Sequence, residues 1–389
     1  MIGTSISKHL LDNCQFRESH LKNRFWKGQI DANILAQIFD WNDLNRCLSF
    51  NRITNDRFRL STSSEHHAAN RRAFRPTRDS LGRSTDYLVV TELHKLMREG
   101  VTAVLEAVNE LSAPVCELTE HLAGELGARS TANAYVSFGS VSGFGMHNDD
   151  HDVIVLQLDG RKEWRFLGNG AGDKATVADL KPPAGGEQYE SIIASAGDVM
   201  YIPKGTWHDV AALNERSLHL TVSVVYPTVA EYVTWCIHEK KMGISSQDIK
   251  PNNDCVDRTI AYCRHFGETI TRKTNVQDFL NAFYADKRCT RTRANFPSLN
   301  IPNKADRFRR ITFDVLSLGS PLPDRHDTYA LGRIHSLSTA EYTVLRRLPT
   351  VGAMTGAEIA EVCGGWETTS PVLEALMDRD LVTTVMSEA

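Results

Sequence analysis

The sequence predicts a mainly β core with added helices, in which the strands close a double-stranded β-helix, or jelly-roll, barrel. Short β-rich runs follow one another from residue 132 to residue 225, and Gly, Pro and Asp turns separate them. Many short strands with regular turns are typical of a small closed barrel. Helical patterns precede and follow this stretch, so the helices are expected to be additions to the barrel.

Three regions are predicted along the chain. Residues 1–227 form the barrel domain with N-terminal helical and arginine-rich segments, residues 228–330 a helical region, and residues 331–389 a winged-helix-like domain. A length of 389 residues is enough for two or three domains with a substantial core.

The chain before the barrel is predicted to be largely helical. Residues 1–50 hold short amphipathic segments that are expected to pack against the barrel. Residues 101–111 and 113–126 have apolar residues at spacings of three and four, which is the pattern of helices lying on a sheet.

An arginine-rich segment runs from Arg52 to Arg83. It has eight arginines against three acids, a local charge of +5, and the arginines are Arg52, Arg57, Arg59, Arg71, Arg72, Arg75, Arg78 and Arg83. One interpretation is a solvated loop. The other is a surface that guides an acidic peptide or RNA towards a nearby site.

The barrel strands are predicted at six places. These are residues 132–138, 152–158, 161–167, 189–194, 198–202 and 217–225. Residues 168–186 are rich in Gly, Ala and Pro, and we expect a long surface loop there that contacts substrate.

The Asp159-Gly160 turn is a strong hairpin signal, so the strand after it is expected to pair with residues 152–158. Alternation then places Lys162 and Trp164 on the inward face. An ammonium beside aromatic rings is costly unless it meets an anion, which predicts a bound carboxylate at Lys162. Arg161 is the alternative anchor if the register slips by one residue.

A candidate metal site consists of His147, Asp149 and His208. The first two are two residues apart, so an extended segment points both to the same side. His208 closes a Gly-x5-Pro-x-Gly-x2-His motif. Two histidines and one carboxylate, with the other positions open, are the ligands of non-haem Fe(II) oxygenases. Asp150 and His151 are rival ligands nearby.

Beyond residue 226 the patterns are helical as far as about residue 280. Residues 335–389 then predict three short helices with capping boxes at Ser338 and Thr355, followed by a final strand at 381–385, as in a winged helix. Eight acids against three arginines give this last region a net charge of −5, which repels phosphate. We therefore expect a structural or protein-contact domain that does not bind DNA.

Composition excludes several classes of protein. The formal charge is −4 with 24% charged residues, which argues against a surface devoted to nucleic acid or membrane. The eight cysteines are scattered without a Cys-x-x-Cys pair, so reduced thiols are expected. No signal-peptide core and no run of 18 apolar residues is found, and we expect a cytoplasmic protein that does not span a membrane.

Several of these stretches resemble the ribosomal oxygenase (cupin-4) branch of the JmjC family. They are Asn133-Ala134-Tyr135, Gly143-Phe144, His147-Asn148-Asp149-Asp150 and the run from Leu156 to Arg165. The resemblance is specific over residues 88–226 and weakens on both sides. The motif ending at His208 resembles that of cupins, although Ala212 stands where their closing Asn would fall.

The resemblance implies Fe(II) held by His147, Asp149 and His208, with 2-oxoglutarate and O2 at the remaining positions. It also implies that Lys162 holds the distal carboxylate of 2-oxoglutarate and that Asn133 contacts this cosubstrate. No catalytic side chain beyond the metal ligands is expected.

Four polar strand residues are further candidates for the pocket lining, namely Tyr135, Ser217, His219 and Thr221. An inward Asn such as Asn133 can also tie down a neighbouring loop, so its role stays open.

The activity implied by the resemblance is hydroxylation of a side chain in a protein or peptide, first of all a ribosomal protein, by a homodimer that forms through residues 228–330. Alternatives are hydroxylation of a ribosomally made precursor peptide in natural-product biosynthesis, and hydroxylation of tRNA through the Arg52–Arg83 segment. A cupin oxygenase or isomerase that needs no 2-oxoglutarate is a further alternative. The non-enzymatic alternative is a cupin scaffold kept for dimerisation and partner binding.

Overall fold

The structure is a computed structural model, and it describes residues 2–61, 66–78, 80–167, 189–239, 255–286, 301–311, 324–330, 333–349 and 352–385. The chain divides into two compact units, Met1–Val225 and Tyr226–Ala389. The domain boundaries predicted after residues 227 and 330 remain predictions. The loop predicted at residues 168–186 lies outside the described residues.

Helices occupy much of the first unit before the barrel strands, as predicted for residues 1–50. They are α1 (Ile2–Asp12), α2 (Cys14–Leu21), α3 (Ala32–Ala36), α4 (Trp41–Phe50), α5 (His66–Ala73), α6 (Val90–Arg98) and α7 (Ala113–Leu126), with a 3-10 turn at Val108–Glu110. Three of the helices begin where the side chain of Asn13, Asp31 or Asp40 accepts backbone N–H groups. Such caps satisfy donors that the first helical turn leaves unpaired.

A seven-stranded antiparallel sheet forms the larger wall of the barrel. The strands of the first unit are β1 (Trp26–Gln29), β2 (Phe58–Ser61), β3 (Phe74–Arg78), β4 (Ser84–Leu88), β5 (Thr102–Leu105), β6 (Ala132–Ser137), β7 (Asp152–Asp159), β8 (Arg161–Leu167), β9 (Tyr189–Ser195), β10 (Asp198–Ile202), β11 (His208–Ala212) and β12 (Ser217–Val224). The order in the large sheet is β1-β10-β7-β12-β6-β5-β2. Strands β3 and β4 form a separate hairpin.

A second sheet, of order β11-β8-β9, forms the facing wall. One buried core cluster takes side chains from both sheets, namely Val153, Val155, Trp164, Phe166, Ala194, Met200 and Ile202. Two packed antiparallel sheets with alternating inward side chains make the double-stranded β-helix that the sequence predicts, so this prediction is confirmed.

The pairing predicted around Asp159-Gly160 is wrong. Strand β7 lies between β10 and β12, whereas β8 pairs with β9 and β11 in the other sheet. Both edges of β7 are already occupied, so the chain turns and crosses to the second sheet. Gly160 has φ +65°, and a Cβ there would lie 1.9 Å from the carbonyl oxygen of Arg216, so the turn requires glycine. The predicted inward face is correct, because Lys162 and Trp164 are buried.

Other elements also differ from prediction. Trp26–Gln29 forms β1 at the edge of the large sheet, within residues 1–50 that were expected to be helical, and the Arg52–Arg83 segment contains β2, α5 and β3 where a loop was one interpretation. Residues 102–105 form β5 at the side of β6, although residues 101–111 were expected to be helical. Strand β11 was not predicted at all, yet it pairs with β8 along its whole length and begins at His208.

The second unit combines helices with short strands. These are α8 (Val229–Glu239), α9 (Cys255–Ile270), α10 (Lys273–Asp286), β13 (Arg307–Arg310), β14 (Arg325–Ala330), β15 (Arg333–Ser338), α11 (Thr339–Arg347), β16 (Met354–Thr355), α12 (Gly356–Cys363), α13 (Trp366–Met377) and β17 (Val382–Val385). The last three helices pack with the sheet β16-β13-β17 around Phe308, Leu345 and Leu373, as in the predicted winged helix. Both predicted capping boxes, at Ser338 and Thr355, are present.

Among the described residues, no helix combines the length and the apolar character that a membrane crossing needs.

Candidate metal centre and its pocket

The structure brings His147, Asp149 and His208 together. One possible ligand atom from each residue can be chosen so that all of them lie within 4.8 Å of one another. His147 and Asp149 lie in the loop between β6 and β7, and His208 is the first residue of β11. The backbones of the two histidines form an isolated antiparallel bridge, which fixes the two ligand-bearing segments against each other.

Each histidine ring is oriented by a carbonyl oxygen two residues before it. Nδ1 of His147 lies 2.9 Å from the oxygen of Gly145, and Nδ1 of His208 lies 2.9 Å from the oxygen of Thr206. Because a carbonyl can only accept, each Nδ1 carries a proton, and in the neutral ring Nε2 then keeps its lone pair. Burial also lowers the pKa of His208, which favours its neutral form. Neutral rings with a free Nε2 are what a metal ion requires.

Hydrogen bonds join the two segments around Asp149. The backbone N–H of Gly205 donates to the backbone oxygen of Asp149 at 2.9 Å. The buried carboxylate of Asp152 accepts from the backbone N–H of Lys204 and from the hydroxyl of Tyr201, both at 2.8 Å. The loop before His208 is therefore tied to the residues that precede β7.

The three candidate ligands line a cavity between the two sheets. The space between the lining residues is about 490 Å³ when the open solvent at its mouth is included. Its walls include the aromatic rings of Tyr135, Phe144 and Trp164. The ring of Trp164 stacks on His208 with centroids 5.6 Å apart.

Lys162 reaches the same cavity from β8. It is 3% exposed, and burial lowers its pKa to about 7. No hydrogen bond or ion pair to its ammonium is found within the part of the chain that the structure describes. A buried ammonium of this kind is stabilised when an anion enters the cavity.

Two further polar atoms of the lining lack partners among the described residues: Nε1 of Trp164 and Nδ1 of His219. His219 is 2% exposed and stacks on Tyr135 with centroids 4.7 Å apart. Burial, followed by the charge of Lys162, lowers the pKa of His219 well below its usual value. A polar molecule bound in the cavity would satisfy groups of this kind.

The other predicted site residues are distributed as follows. Tyr135, His219 and Thr221 line the cavity, whereas the hydroxyl of Ser217 accepts a hydrogen bond from Gln157 Nε2 at 2.9 Å. Asn133 lies on β6, and its Oδ1 accepts from the backbone N–H of Ala107 at 2.9 Å. This contact ties down a loop, and a contact of Asn133 with the cosubstrate remains a prediction.

The alternatives to the main candidates point elsewhere. Arg161 is half-exposed and pairs with Glu215 at 3.0 Å. Asp150 is 77% exposed and pairs with the ring of His151 at 2.8 Å. Neither Asp150 nor His151 is part of the group of possible metal ligands.

Alternation on β8 placed Trp164 on the inward face with Lys162, and the structure puts Trp164 in the cavity wall. Phe144 was not assigned to this wall. The position of the Phe144 ring depends on the conformation of its loop, which no periodic pattern in the sequence predicts.

The arrangement fits a divalent metal and a carboxylate-bearing ligand. Two imidazole nitrogens and one carboxylate that lie close together leave other coordination positions open. The ammonium of Lys162, for which the described residues supply no partner, lies in the same cavity.

Comparison of the sequence with known proteins gives matches that centre on the barrel. The JmjC domain model matches residues 108–232. The bifunctional lysine-specific demethylase and histidyl-hydroxylase NO66 of Dictyostelium discoideum is 32% identical over 134 residues, which are 33% of this chain and 26% of that protein. Ribosomal oxygenase 1 of Gallus gallus is 30% identical over 154 residues, 38% of this chain and 25% of that protein. The chain thus spans about a quarter of the length of these relatives.

Solved structures match over nearly the whole chain. The structure of Escherichia coli ycfD has a TM-score of 0.63 at 18% identity and covers 95% of this chain and 97% of its own. The same ribosomal oxygenase, in complex with cobalt and 2-oxoglutarate, has a TM-score of 0.58 at 18% identity, with coverages of 96% and 98%. At this identity the match establishes the fold. The JmjC resemblance seen in the sequence is confirmed over residues 108–232, which match the JmjC domain model, and the chain has the fold of the E. coli ribosomal oxygenase.

Proposed function

We propose that this chain is an Fe(II)- and 2-oxoglutarate-dependent hydroxylase that acts on a side chain of a protein or peptide. The observation that carries the proposal is one cavity that holds His147, Asp149 and His208 together with the buried, unpartnered ammonium of Lys162. A metal ligand set and a carboxylate anchor in one cavity match the needs of this cosubstrate.

Each residue has a stated task in this proposal. His147, Asp149 and His208 hold the metal, while Lys162 pairs with the distal carboxylate of 2-oxoglutarate and Asn133 contacts the cosubstrate. With Fe(II), 2-oxoglutarate and O2 bound, such a site supplies the chemistry that inserts oxygen into a C–H bond and converts 2-oxoglutarate to succinate and CO2. The aromatic walls exclude water, which strengthens the pairing between Lys162 and the carboxylate.

The names of the relatives support a protein substrate. The matching regions belong to proteins named ribosomal oxygenase and histidyl-hydroxylase. We infer that a ribosomal protein is the first substrate to test, and that the scattered cysteines suit a reducing, cytoplasmic setting. A small precursor peptide would use the same cavity, so the identity of the substrate must come from experiment.

The experiment is peptide mass spectrometry of the whole proteome from the source cell with and without this protein, after succinate formation has been measured in vitro. We expect one site whose added oxygen mass disappears on deletion. If this site lies in a ribosomal protein, the result supports a ribosomal substrate. If it lies in a small precursor peptide, the result supports the biosynthetic alternative. Turnover of 2-oxoglutarate with no such site would contradict a protein substrate.

RNA is the second candidate, because the Arg52–Arg83 segment is basic. In the part of this segment that the structure describes, Arg57 is paired with Glu110, Arg59 with Glu106 and Arg72 with Glu99. These pairs reduce the charge left for phosphate, so we rank RNA below protein. If RNA binds through this segment, log Kd will rise steeply with log salt concentration. A flat dependence would remove the RNA alternative.

A homodimer through residues 228–330 is part of the proposal. The described helices α8 and α10 of that region place Tyr232, Trp235 and Phe279 in ring contact with one another, so the helices have an apolar core of their own. The variant His208→Ala distinguishes an enzyme from a scaffold. Its dimerisation is measured by analytical ultracentrifugation and its 2-oxoglutarate turnover by succinate formation. Loss of turnover with an unchanged dimer would rule out the scaffold.

A further inference from the structure

A chain of hydrogen bonds leads from Asp209 to the ring of His147. The hydroxyl of Ser142 donates to Oδ1 of Asp209, and the same Ser142 oxygen accepts from the backbone N–H of Gly145 at 2.9 Å. The carbonyl oxygen of Gly145 in turn holds Nδ1 of His147 at 2.9 Å. This series of hydrogen bonds therefore ends on Nδ1 of His147, whose hydrogen bond sets the orientation of the imidazole ring.

The backbone of Gly145 is the link that makes this chain continuous. Its φ of +70° lies in the left-handed region, where glycine is favoured. In this conformation the N–H of Gly145 meets Ser142 while its carbonyl oxygen meets His147. Fixing the N–H of one residue thus restrains the carbonyl that orients the ring.

The carboxylate at the far end of the chain is itself restrained. Oδ2 of Asp209 lies 3.6 Å from Nη1 of Arg165, and Arg165 is paired with Glu163 at 2.6 Å. Asp209 is 14% exposed on its side chain and directly follows His208 on β11. A rigid strand therefore holds the anchor, while the loop that carries His147 is what it positions.

We propose that Ser142 and Asp209 are positioning residues for the metal ligand His147. Residues that hold a metal-bound histidine through its second ring nitrogen commonly change metal affinity by about 10- to 100-fold when mutated. Ser142 and Asp209 act one step further out, through the backbone of Gly145, so we expect about a tenfold effect. The proposal rests on the metal site of the proposed function.

Packing of the loop alone is the competing explanation. The hydroxyl of Ser61 also donates to the carbonyl oxygen of Gly143, so the loop has a second attachment that does not lead to a ligand. If the Ser142–Asp209 hydrogen bond only holds the loop in place, its loss would lower the thermal stability and leave the coordination of the metal unchanged. Metal affinity and the spectrum of the bound metal separate the two explanations.

The test uses the full-length protein and cobalt(II) alone as the probe. Wild type, Ser142→Ala, Ser142→Thr, Asp209→Ala and Asp209→Asn are titrated with cobalt(II), while the visible absorption that reports its coordination is recorded. We expect about tenfold weaker binding and an altered band for Ser142→Ala and Asp209→Ala. Ser142→Thr keeps the hydroxyl and Asp209→Asn keeps an acceptor for it, so both should stay within about threefold of wild type.

Glu215→Gln is the matched control, because Glu215 pairs with Arg161 on the same strand as Arg165 but leads to no ligand. The proposal would be overturned if Ser142→Ala and Asp209→Ala bound cobalt(II) with the affinity and spectrum of wild type. It would also be overturned if Asp209→Asn lost as much cobalt(II) affinity as Asp209→Ala. If Ser142→Ala does not fold, the comparison between the two Asp209 variants still decides. Failure of wild type to bind cobalt(II) would instead overturn the metal site itself.

Discussion

The backbones of His147 and His208 exchange two hydrogen bonds, of 2.9 and 2.8 Å, although 61 positions separate them in the sequence. Their ring centroids lie 4.4 Å apart. The pairing means that the metal site forms only when the loop after β6 has docked on β11. Metal binding should therefore stabilise the closed barrel, because a ligand that binds only the folded state raises its stability.

The role of Lys162 can be tested by two substitutions with opposite expectations. Lys162→Met removes the charge at similar length, and we expect binding of 2-oxoglutarate to weaken by at least about 100-fold, since the carboxylate loses its charged partner. Lys162→Arg keeps the charge and should bind more tightly than Lys162→Met. Calorimetry with cobalt-loaded protein measures both affinities.

Arg161→Gln is the control for this pair, because Arg161 faces outward to Glu215. Its affinity for 2-oxoglutarate should equal that of wild type. Strong weakening in Arg161→Gln with little change in Lys162→Met would mean that the anchor has been assigned to the wrong residue.

Binding of 2-oxoglutarate should depend on pH through Lys162. Burial lowers the pKa of this ammonium to about 7, and a bound carboxylate raises it again. Affinity should be constant just below pH 7 and fall by up to about tenfold per pH unit above it, because the neutral amine must first take up a proton. Calorimetry in buffers of different ionisation enthalpy measures this proton uptake, and an absence of uptake at about pH 8 would contradict the assignment.

Lys162 should also destabilise the ligand-free fold. Its folded pKa lies below the value of about 10.4 in unfolded chains, so between these two values the unfolded state binds more protons and stability rises with pH. Below about pH 7 the full cost of burying the ammonium applies, on the order of a few kcal/mol. Lys162→Met should therefore raise the free energy of unfolding most below pH 7, and progressively less towards pH 10. Denaturant unfolding at several pH values checks this, and a destabilised Lys162→Met at pH 6 would disagree.

Asn133 offers a way to separate loop anchoring from cosubstrate binding. Asn133→Ala removes the acceptor for the backbone N–H of Ala107, and we expect a loss of about 1–3 kcal/mol in the free energy of unfolding. Asn133→Asp keeps the acceptor but replaces the amide donor, and Asn133 is not among the residues that line the cavity. If Asn133 also contacts 2-oxoglutarate, the KM for this cosubstrate will rise in both variants, whereas a pure anchor leaves it near wild type in Asn133→Asp.

The local sequence was sufficient to predict which side chains come together in the cavity, because they lie on short, strongly patterned stretches. Alternation along β8 placed Lys162 inside, and the two-residue spacing of His147 and Asp149 placed them on one side. The resemblance then supplied the partner motif of His208. The inward place of Lys162 was inferred with the wrong partner strand, and it is correct because alternation along β8 separates the same two sets of side chains whichever strand pairs with it.

Strand pairing was where sequence reasoning failed, and the reasons are physical. The Asp159-Gly160 turn has the composition of a hairpin, but β7 is buried along almost its whole length between two other strands. Composition at a turn cannot report whether an edge is already occupied. Strand β11 begins with His208 and Asp209, which have low strand preference, and it is extended because β8 pairs with it. Residues 102–105 form a short apolar run, which periodicity alone does not separate from a helix.

The most direct test of the proposed activity is succinate formation from 2-oxoglutarate by the Fe(II)-loaded protein in air, compared with His208→Ala and Asp149→Ala. We predict succinate in wild type, a rate at least about 100-fold lower in both variants because two ligands hold the metal poorly, and no change in fold by circular dichroism. We also predict that the wild-type protein consumes no O2 when 2-oxoglutarate is omitted. Wild-type rates in either variant, or oxygen consumption that does not need 2-oxoglutarate, would contradict the account.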